Sequence, residues 1–312
     1  MAEEIAPRET YGKTLAALGH ENKDIVVLDA DLLPSTMTKY FKTEHPERFF
    51  EIGIAEANMM GIAAGLAAAG KIPFASTFAV FATGRCFDQI RVSIAQAKLN
   101  VKIVATHAGI TVGEDGMSHQ AIEDLALMCS LAGFTVIMPA DSVETEQAVR
   151  ASAAIDGPCY IRLGRSKVPV ICDKNYRFEI GKATTMRPGN DVTIIGTGIM
   201  VAPALEAAAE LAVGGIDCRV INMSTLKPID EEAIIEAAED TGAIVTAEEH
   251  MEHGGLGSIV SAIVVQNHPV PMEIVALNRY AESGSPNELL KKYGLTAREI
   301  IAAANIVIKR KP

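Results

Sequence analysis

Short, mostly apolar runs alternate with longer stretches of helical spacing along most of the chain. Ile25-Val26-Val27-Leu28 is the first such run, and others cover 73–78, 101–105, 135–138 and 159–163. A strand covered on both faces reads as a continuous apolar run, not as an alternating one. Between the runs, helical spacing is expected over 8–19, 56–70, 91–97, 122–131 and 141–154. The periodicity lapses after Val168, where Pro169, Lys174, Asn175, Arg187, Pro188 and Gly189 punctuate the chain. It resumes with strands expected at 192–195, 219–222, 243–246 and 272–276. Helices are expected there at 201–213, 231–241, 257–266, 287–293 and 297–304. Strand–helix alternation implies right-handed crossovers and parallel sheets. The expected fold class is therefore α/β, with two doubly wound, mostly parallel-sheet domains at 1–170 and 191–312 and a linker at 171–190.

A length of 312 residues is enough for two full cores. The net charge of −11, from 28 basic and 39 acidic residues, leaves only the Lys309-Arg310-Lys311 tail as a basic cluster. Nucleic acid is not an expected partner. Five widely spaced cysteines with no C-x-x-C pair point to reduced thiols and a cytoplasmic protein. The acidic start, Met1-Ala2-Glu3-Glu4-Ile5-Ala6, has no apolar h-region, so no secretory signal is expected. The longest uncharged apolar run, 57–70, is too short for a membrane span, and no membrane contact is expected.

Three stretches carry candidate chemistry. Glu56 stands alone at the mouth of a helix whose other residues are uncharged and small, among them Gly61, Ala63, Ala64 and Gly65. Desolvation there favours a protonated carboxyl, the helix dipole favours the ionised one, and a simple helix cap is the competing reading. Asp29, Asp31 and Ser35 follow the first strand, where ligands sit in open α/β sheets, although a solvated turn explains the two acids equally well. The loop 106–120 gathers His107, Glu114, Asp115 and His119 with three glycines at another strand end. Two histidines with an acid there favour a substrate site over structural roles, and their spacing matches no compact metal ligand set, so no metal ligand is assigned. Gly196-Thr197-Gly198 fails as a dinucleotide fingerprint, because Val201 takes the third glycine position and Asp217 precedes its strand.

Phe50-Glu51-Ile52-Gly53-Ile54-Ala55-Glu56, Ser76-Thr77-Phe78 with Phe81, Thr106-His107 and Gly113-Glu114-Asp115-Gly116-Met117-Ser118-His119-Gln120 resemble the pyrimidine-binding domain of transketolase. Residues 191–298 resemble its C-terminal domain. The resemblance implies that Glu56 hydrogen-bonds N1′ of the aminopyrimidine of thiamine diphosphate and that Phe78 and Phe81 flank that ring, with Asp31 near the cofactor. A further family aromatic falls at Gly84, leaving Arg85 or Phe87 to fill that wall. It also implies that His119 contacts the substrate near its carbonyl, that Asp115 reads a hydroxyl of the acceptor, and that His107, Arg165 and Ser35 hold the sugar phosphate. Arg162 competes with Arg165 for the last role. The family binds Mg²⁺ and diphosphate through a Gly-Asp-Gly motif that this sequence lacks. The resemblance thus implies one subunit of a split transketolase, inert until an N-terminal subunit carrying the diphosphate-binding domain completes an α2β2 enzyme. The implied reaction moves a two-carbon ketol unit from a ketose phosphate to an aldose phosphate. A beta subunit of a 2-oxo acid dehydrogenase or deoxyxylulose-phosphate synthase type, or a non-catalytic scaffold subunit, would share Glu56 without needing the loop chemistry.

Overall fold

The computed structural model describes residues 3–311. Met1 and Ala2, at the acidic start, and Pro312 lie outside the described residues. The first unit runs β1 (Glu4–Ile5), α1 (Pro7–Glu21), β2 (Ile25–Asp29), α2 (Leu33–Thr36), α3 (Lys39–Glu44), β3 (Phe49–Glu51), α4 (Glu56–Ala68) and β4 (Ile72–Phe78). It continues through α5 (Phe87–Gln89), β5 (Lys102–Thr106), α6 (Asp124–Ser130), β6 (Thr135–Ile137), α7 (Ser142–Ala154), β7 (Cys159–Arg162) and β8 (Val168–Pro169). The second holds β9 (Thr184–Arg187), β10 (Val192–Gly196), α8 (Val201–Val213), β11 (Cys218–Asn222), β12 (Thr225–Lys227) and α9 (Glu231–Thr241). It ends with β13 (Ile244–Met251), α10 (Leu256–Asn267), β14 (Met272–Leu277), α11 (Pro286–Lys292) and α12 (Ala297–Ile308).

The expected buried runs are parallel strands. All five residues of β2 and of β10 are buried, because helices cover both faces of each sheet. The first sheet has the order β12-β6-β7-β5-β4-β2-β3, and the second β14-β13-β10-β11-β9. Every pairing among β6, β7, β5, β4, β2 and β3 is parallel, so the carboxyl ends of β2, β4, β5 and β7 share one edge.

Three features depart from the sequence expectation. The stretch 171–190 is not bare linker: β9 forms an antiparallel edge on β11, and Tyr176 is buried with its hydroxyl donating to Glu144. Strand β12 leaves the second unit and pairs antiparallel with β6 of the first sheet. The two units accordingly share one apolar cluster in which Met59 and Leu125 belong with Ile221, Ile234 and Val260. The helix expected over 91–97 is a wide-turned segment at Ile90–Ala95, preceded by α5 and by a second such segment at Phe81–Arg85. Such wide turns shift side chains off the 3.6-residue spacing that sequence reading relies on.

Candidate active site

Glu56 opens α4, whose inner face buries Met59, Met60, Ala63 and Ala64. Its side chain is only 6% exposed and pairs with Arg85 Nη1 at 3.0 Å. The expected dry carboxyl is therefore not left unpartnered, since a buried charge demands a counter-charge. The Arg85 guanidinium lies over the Phe81 ring, its central carbon 4.0 Å from the centroid. Phe81 stacks near Phe78 at 5.8 Å, and both rings meet His119 edge-on, at 5.3 and 6.2 Å. Phe78 also stacks on His107, at 3.8 Å. Glu56, Arg85, Phe81, His119, Phe78 and His107 thus form one continuous array along the carboxyl edge of the first sheet.

Local backbone geometry places these groups. His107 follows β5 with φ 61°, which turns the chain sharply out of the strand. Its Nδ1 meets the Thr106 hydroxyl at 2.9 Å, leaving Nε2 for another partner. Burial lowers the His107 pKa to about 3, helped by the nearby Arg8 and Arg165 charges and by His119. The ring is neutral at physiological pH. Nδ1 of His119 lies 2.9 Å from the Ser118 hydroxyl, so its Nε2 is likewise the available nitrogen.

Arg165 follows β7 and donates to the Val112 carbonyl at 2.6 Å, with Glu114 and Asp115 at 3.5 and 3.7 Å. Arg162, its competitor in the sequence, is excluded from the site. Its guanidinium is buried against Asp124 at 2.8 Å and donates to the carbonyls of Ala121 and Glu249. Ser35 lies in α2 and its carbonyl accepts from Arg8 Nη1 at 2.8 Å. Asp31, with φ 62°, stands at the same sheet edge, where its N–H donates to Glu51 Oε1 at 2.7 Å. No hydrogen bond among the described residues joins its carboxylate to the ring array. Asp29 takes a structural part: it accepts from Leu32 N–H and from the hydroxyls of Thr36 and Thr38, and burial raises its pKa to about 6.

Sequence reading missed Arg8. It sits in the first turn of α1 and spans Ser35 and Arg165, donating to the Arg165 carbonyl at 3.2 Å. Burial and the Arg165 charge both lower its pKa. Two guanidinium groups held together in this way favour an anion between them. Its separation of 157 residues from Arg165 leaves no local sequence signal. Far from this edge, at the other end of α1, His20, Glu44 and His45 lie close together. There His45 Nε2 serves the Ala16 carbonyl, at 3.0 Å.

Sequence comparison matches residues 3–170 to the transketolase pyrimidine-binding domain and 181–300 to the transketolase C-terminal domain. The chain is 46% identical over 305 residues to the 6-deoxy-6-sulfo-D-fructose transketolase subunit SqwH of Clostridium sp. (strain MSTE9), covering 97% of this chain and 95% of that one. It is 47% identical over 297 residues to the putative transketolase C-terminal section of Methanocaldococcus jannaschii, covering 94% and 93%. Against human transketolase it is 42% identical over 97% of its own length, and spans about half (49%) of that longer protein. Among solved structures, a split gene transketolase described as an inactive beta4 tetramer superimposes with a TM-score of 0.93 at 55% identity, covering 99% of this chain and all (100%) of the other. No helix among the described residues is long and apolar enough to cross a membrane. Both halves and their order agree with these relatives, and the chain belongs to the transketolase family.

Proposed function

We propose that this transketolase subunit supplies the pyrimidine-facing and sugar-facing walls of a thiamine diphosphate site, and that a separate N-terminal subunit holds the diphosphate and Mg²⁺ in an α2β2 enzyme. The observation that carries the reading is the continuous array from Glu56 to His107, rimmed by Arg8 and Arg165. Its donor set fits the cofactor. A planar group edged with nitrogen already lies there, the Arg85 guanidinium, over the Phe81 ring and hydrogen-bonded to Glu56. A flat aminopyrimidine asks for the same two partners, so Arg85 has to move aside when it binds. When bound, thiamine diphosphate supplies the carbon nucleophile that carries the two-carbon ketol unit.

The chain's own residues do the rest. Glu56 holds a proton against the pyrimidine N1′, and its burial keeps water from competing for it. Phe78 and Phe81 give the ring a dry face, and Asp31 stands at the same edge. His119 presents Nε2 to the sugar oxygen near the reacting carbon, and Asp115 reads a hydroxyl of the acceptor. At the far end, Arg8, Arg165, Ser35 and the neutral His107 receive the sugar's anionic terminus. His107 acts there as an N–H donor and not as a cation. A phosphate or a sulfonate satisfies that set equally.

The partner's docking face is the outer side of α4 with the segment before it. A side chain at Gly61 or Gly65 would meet nothing within 4 Å inside this chain, and Phe50 and Ile54 are exposed nearby. Small residues on a helix let a second backbone approach closely. The split gene relative described as an inactive beta4 tetramer and the subunit-length relatives support inertness of the chain alone.

The test mixes this chain with candidate diphosphate-domain subunits, thiamine diphosphate, Mg²⁺ and pentose phosphates, with sulfonated sugars in a parallel arm. Ketol transfer is expected only in a mixture. Turnover of pyruvate in place of sugars, or equal activity of the chain alone, defeats the reading.

A further inference from the structure

The loop carrying Asp115 and His119 belongs to the first unit, yet the second unit holds its backbone. Glu249, near the end of β13, is 1% exposed, and its Oε1 accepts from the Thr111 N–H at 2.7 Å. Two residues earlier, Gly109 adopts φ +79°, and a Cβ there would overlap the Glu249 carboxylate. Gly109 in turn donates to the Ala121 carbonyl at 2.8 Å, closing the root of the loop. One guanidinium nitrogen of Arg162 donates both to that carbonyl and to the Glu249 carbonyl, at 3.0 and 2.9 Å. Further along, Gly113 backs onto Pro286 and the Gly284 carbonyl, and Gly116 onto Ser283, while Gln120 Nε2 donates to the Glu282 carbonyl at 3.1 Å. All three glycines of the loop, each with positive φ, therefore face residues of the second unit.

We propose that Glu249 is a positioning residue for the sugar-facing loop: its carboxylate fixes the backbone at Thr111 and so sets where Asp115 and His119 stand. The proposal rests on the reading of that loop as sugar-facing. The loop takes a run of glycine conformations with little intrinsic preference for one path, and such a segment needs an external template. A short hydrogen bond from the Thr111 N–H to a fully buried carboxylate, seated where no side chain fits, is such a template. It assigns the C-terminal domain a part in substrate recognition. A displacement of about 1 Å in a positioned group is enough to cost on the order of a hundredfold in rate.

Two conservative substitutions separate reach from charge. Glu249→Asp keeps the charge and withdraws the acceptor by one methylene, whereas Glu249→Gln keeps an oxygen at full reach and removes the charge. In the isolated chain, hydrogen exchange at the Thr111 amide is expected to speed up in Glu249→Asp and to stay slow in Glu249→Gln, with β4 and β5 amides unchanged in both. In the assembled enzyme, Glu249→Asp is expected to raise the KM of the acceptor sugar about tenfold with the thiamine diphosphate affinity unchanged, and Glu249→Gln to restore it. Unchanged Thr111 exchange in Glu249→Asp overturns the proposal. So does a loss that follows charge, with Glu249→Gln the worse variant, or one that lowers cofactor affinity and KM alike. Absence of ketol transfer by the wild-type mixture would defeat the functional reading and leave the exchange result standing on its own.

Discussion

Arg162 and Arg165 are three residues apart on one strand end, and the contrast between their surroundings separates what holds this protein together from what it offers a ligand. Arg162 has a side chain 2% exposed, an ion pair to Asp124 at 2.8 Å and two backbone carbonyls to fill its remaining donors. Arg165 is 35% exposed, and its acidic neighbours stand at 3.5 and 3.7 Å, beyond good hydrogen-bond distance. The first cation is consumed by the junction between the two units. The second keeps donors to spare beside Arg8. The same division runs between carboxylates: Glu249 is committed to a backbone amide, whereas Glu56 faces the half-exposed guanidinium of Arg85.

The comparison breaks most severely at Glu56. Glu56→Gln is expected to lower kcat of the assembled enzyme by about 10²- to 10⁴-fold, the usual worth of a positioned proton donor, while thermal unfolding of the chain shifts little. Steady-state kinetics at saturating thiamine diphosphate check it. A variant that stays active sinks the cofactor reading.

Arg162→Met tests the opposite side. Removing one member of a buried pair leaves Asp124 without its counter-charge and takes a donor from the Glu249 carbonyl, and about 3 to 5 kcal/mol of stability should be lost. Urea unfolding measures this directly. Arg165→Ala, by contrast, should cost under about 1 kcal/mol, as partly exposed ion pairs do. Its effect belongs in KM: about tenfold higher for phosphorylated sugars, the worth of roughly one charge-assisted hydrogen bond. If Arg165→Ala destabilises as much as Arg162→Met, the distinction between the two cations fails.

Much of this was legible in the sequence, for physical reasons that can be named. The short, mostly apolar runs at β2, β5 and β10 read as strands covered on both faces, and the ends of β2 and β5 marked the edge where Asp31, His107 and the acidic loop fall. Glu56 stood out because a lone carboxylate in a small-residue helix is costly unless used. The choice between Arg85 and Phe87 for the wall at Gly84 stayed open, since the wide turns at Phe81–Arg85 break the spacing that would give their directions. Arg8 and β12 act across long sequence separations, and a three-residue strand carries no periodic signal. A usable clue to Glu249 was overlooked: Glu248-Glu249-His250 interrupts a buried strand with three ionisable groups, a local conflict that tends to mark a functional junction.

A more gradual effect sharpens the comparison through pH, because the two regions respond with opposite sign. Burial lowers His107 from 6.5 to about 3, so between those values the unfolded chain takes up a proton that the folded one refuses, and stability falls as the solution is acidified. Burial raises Glu248 and Glu249 from 4.5 to about 7, only partly offset by Arg162 and by backbone N–H donors. There the folded chain keeps protons that the unfolded one has lost, and the stability present below about 4.5 declines as pH rises towards 7. Each group contributes at most about 1.4 kcal/mol per pH unit within its window. Glu249→Gln should therefore flatten the loss on the neutral side of the stability profile, and His107→Asn the loss on the acid side. Urea midpoints collected from pH 4 to 8 distinguish the two, and parallel profiles for both variants and the wild type would mean that neither site titrates as its burial requires.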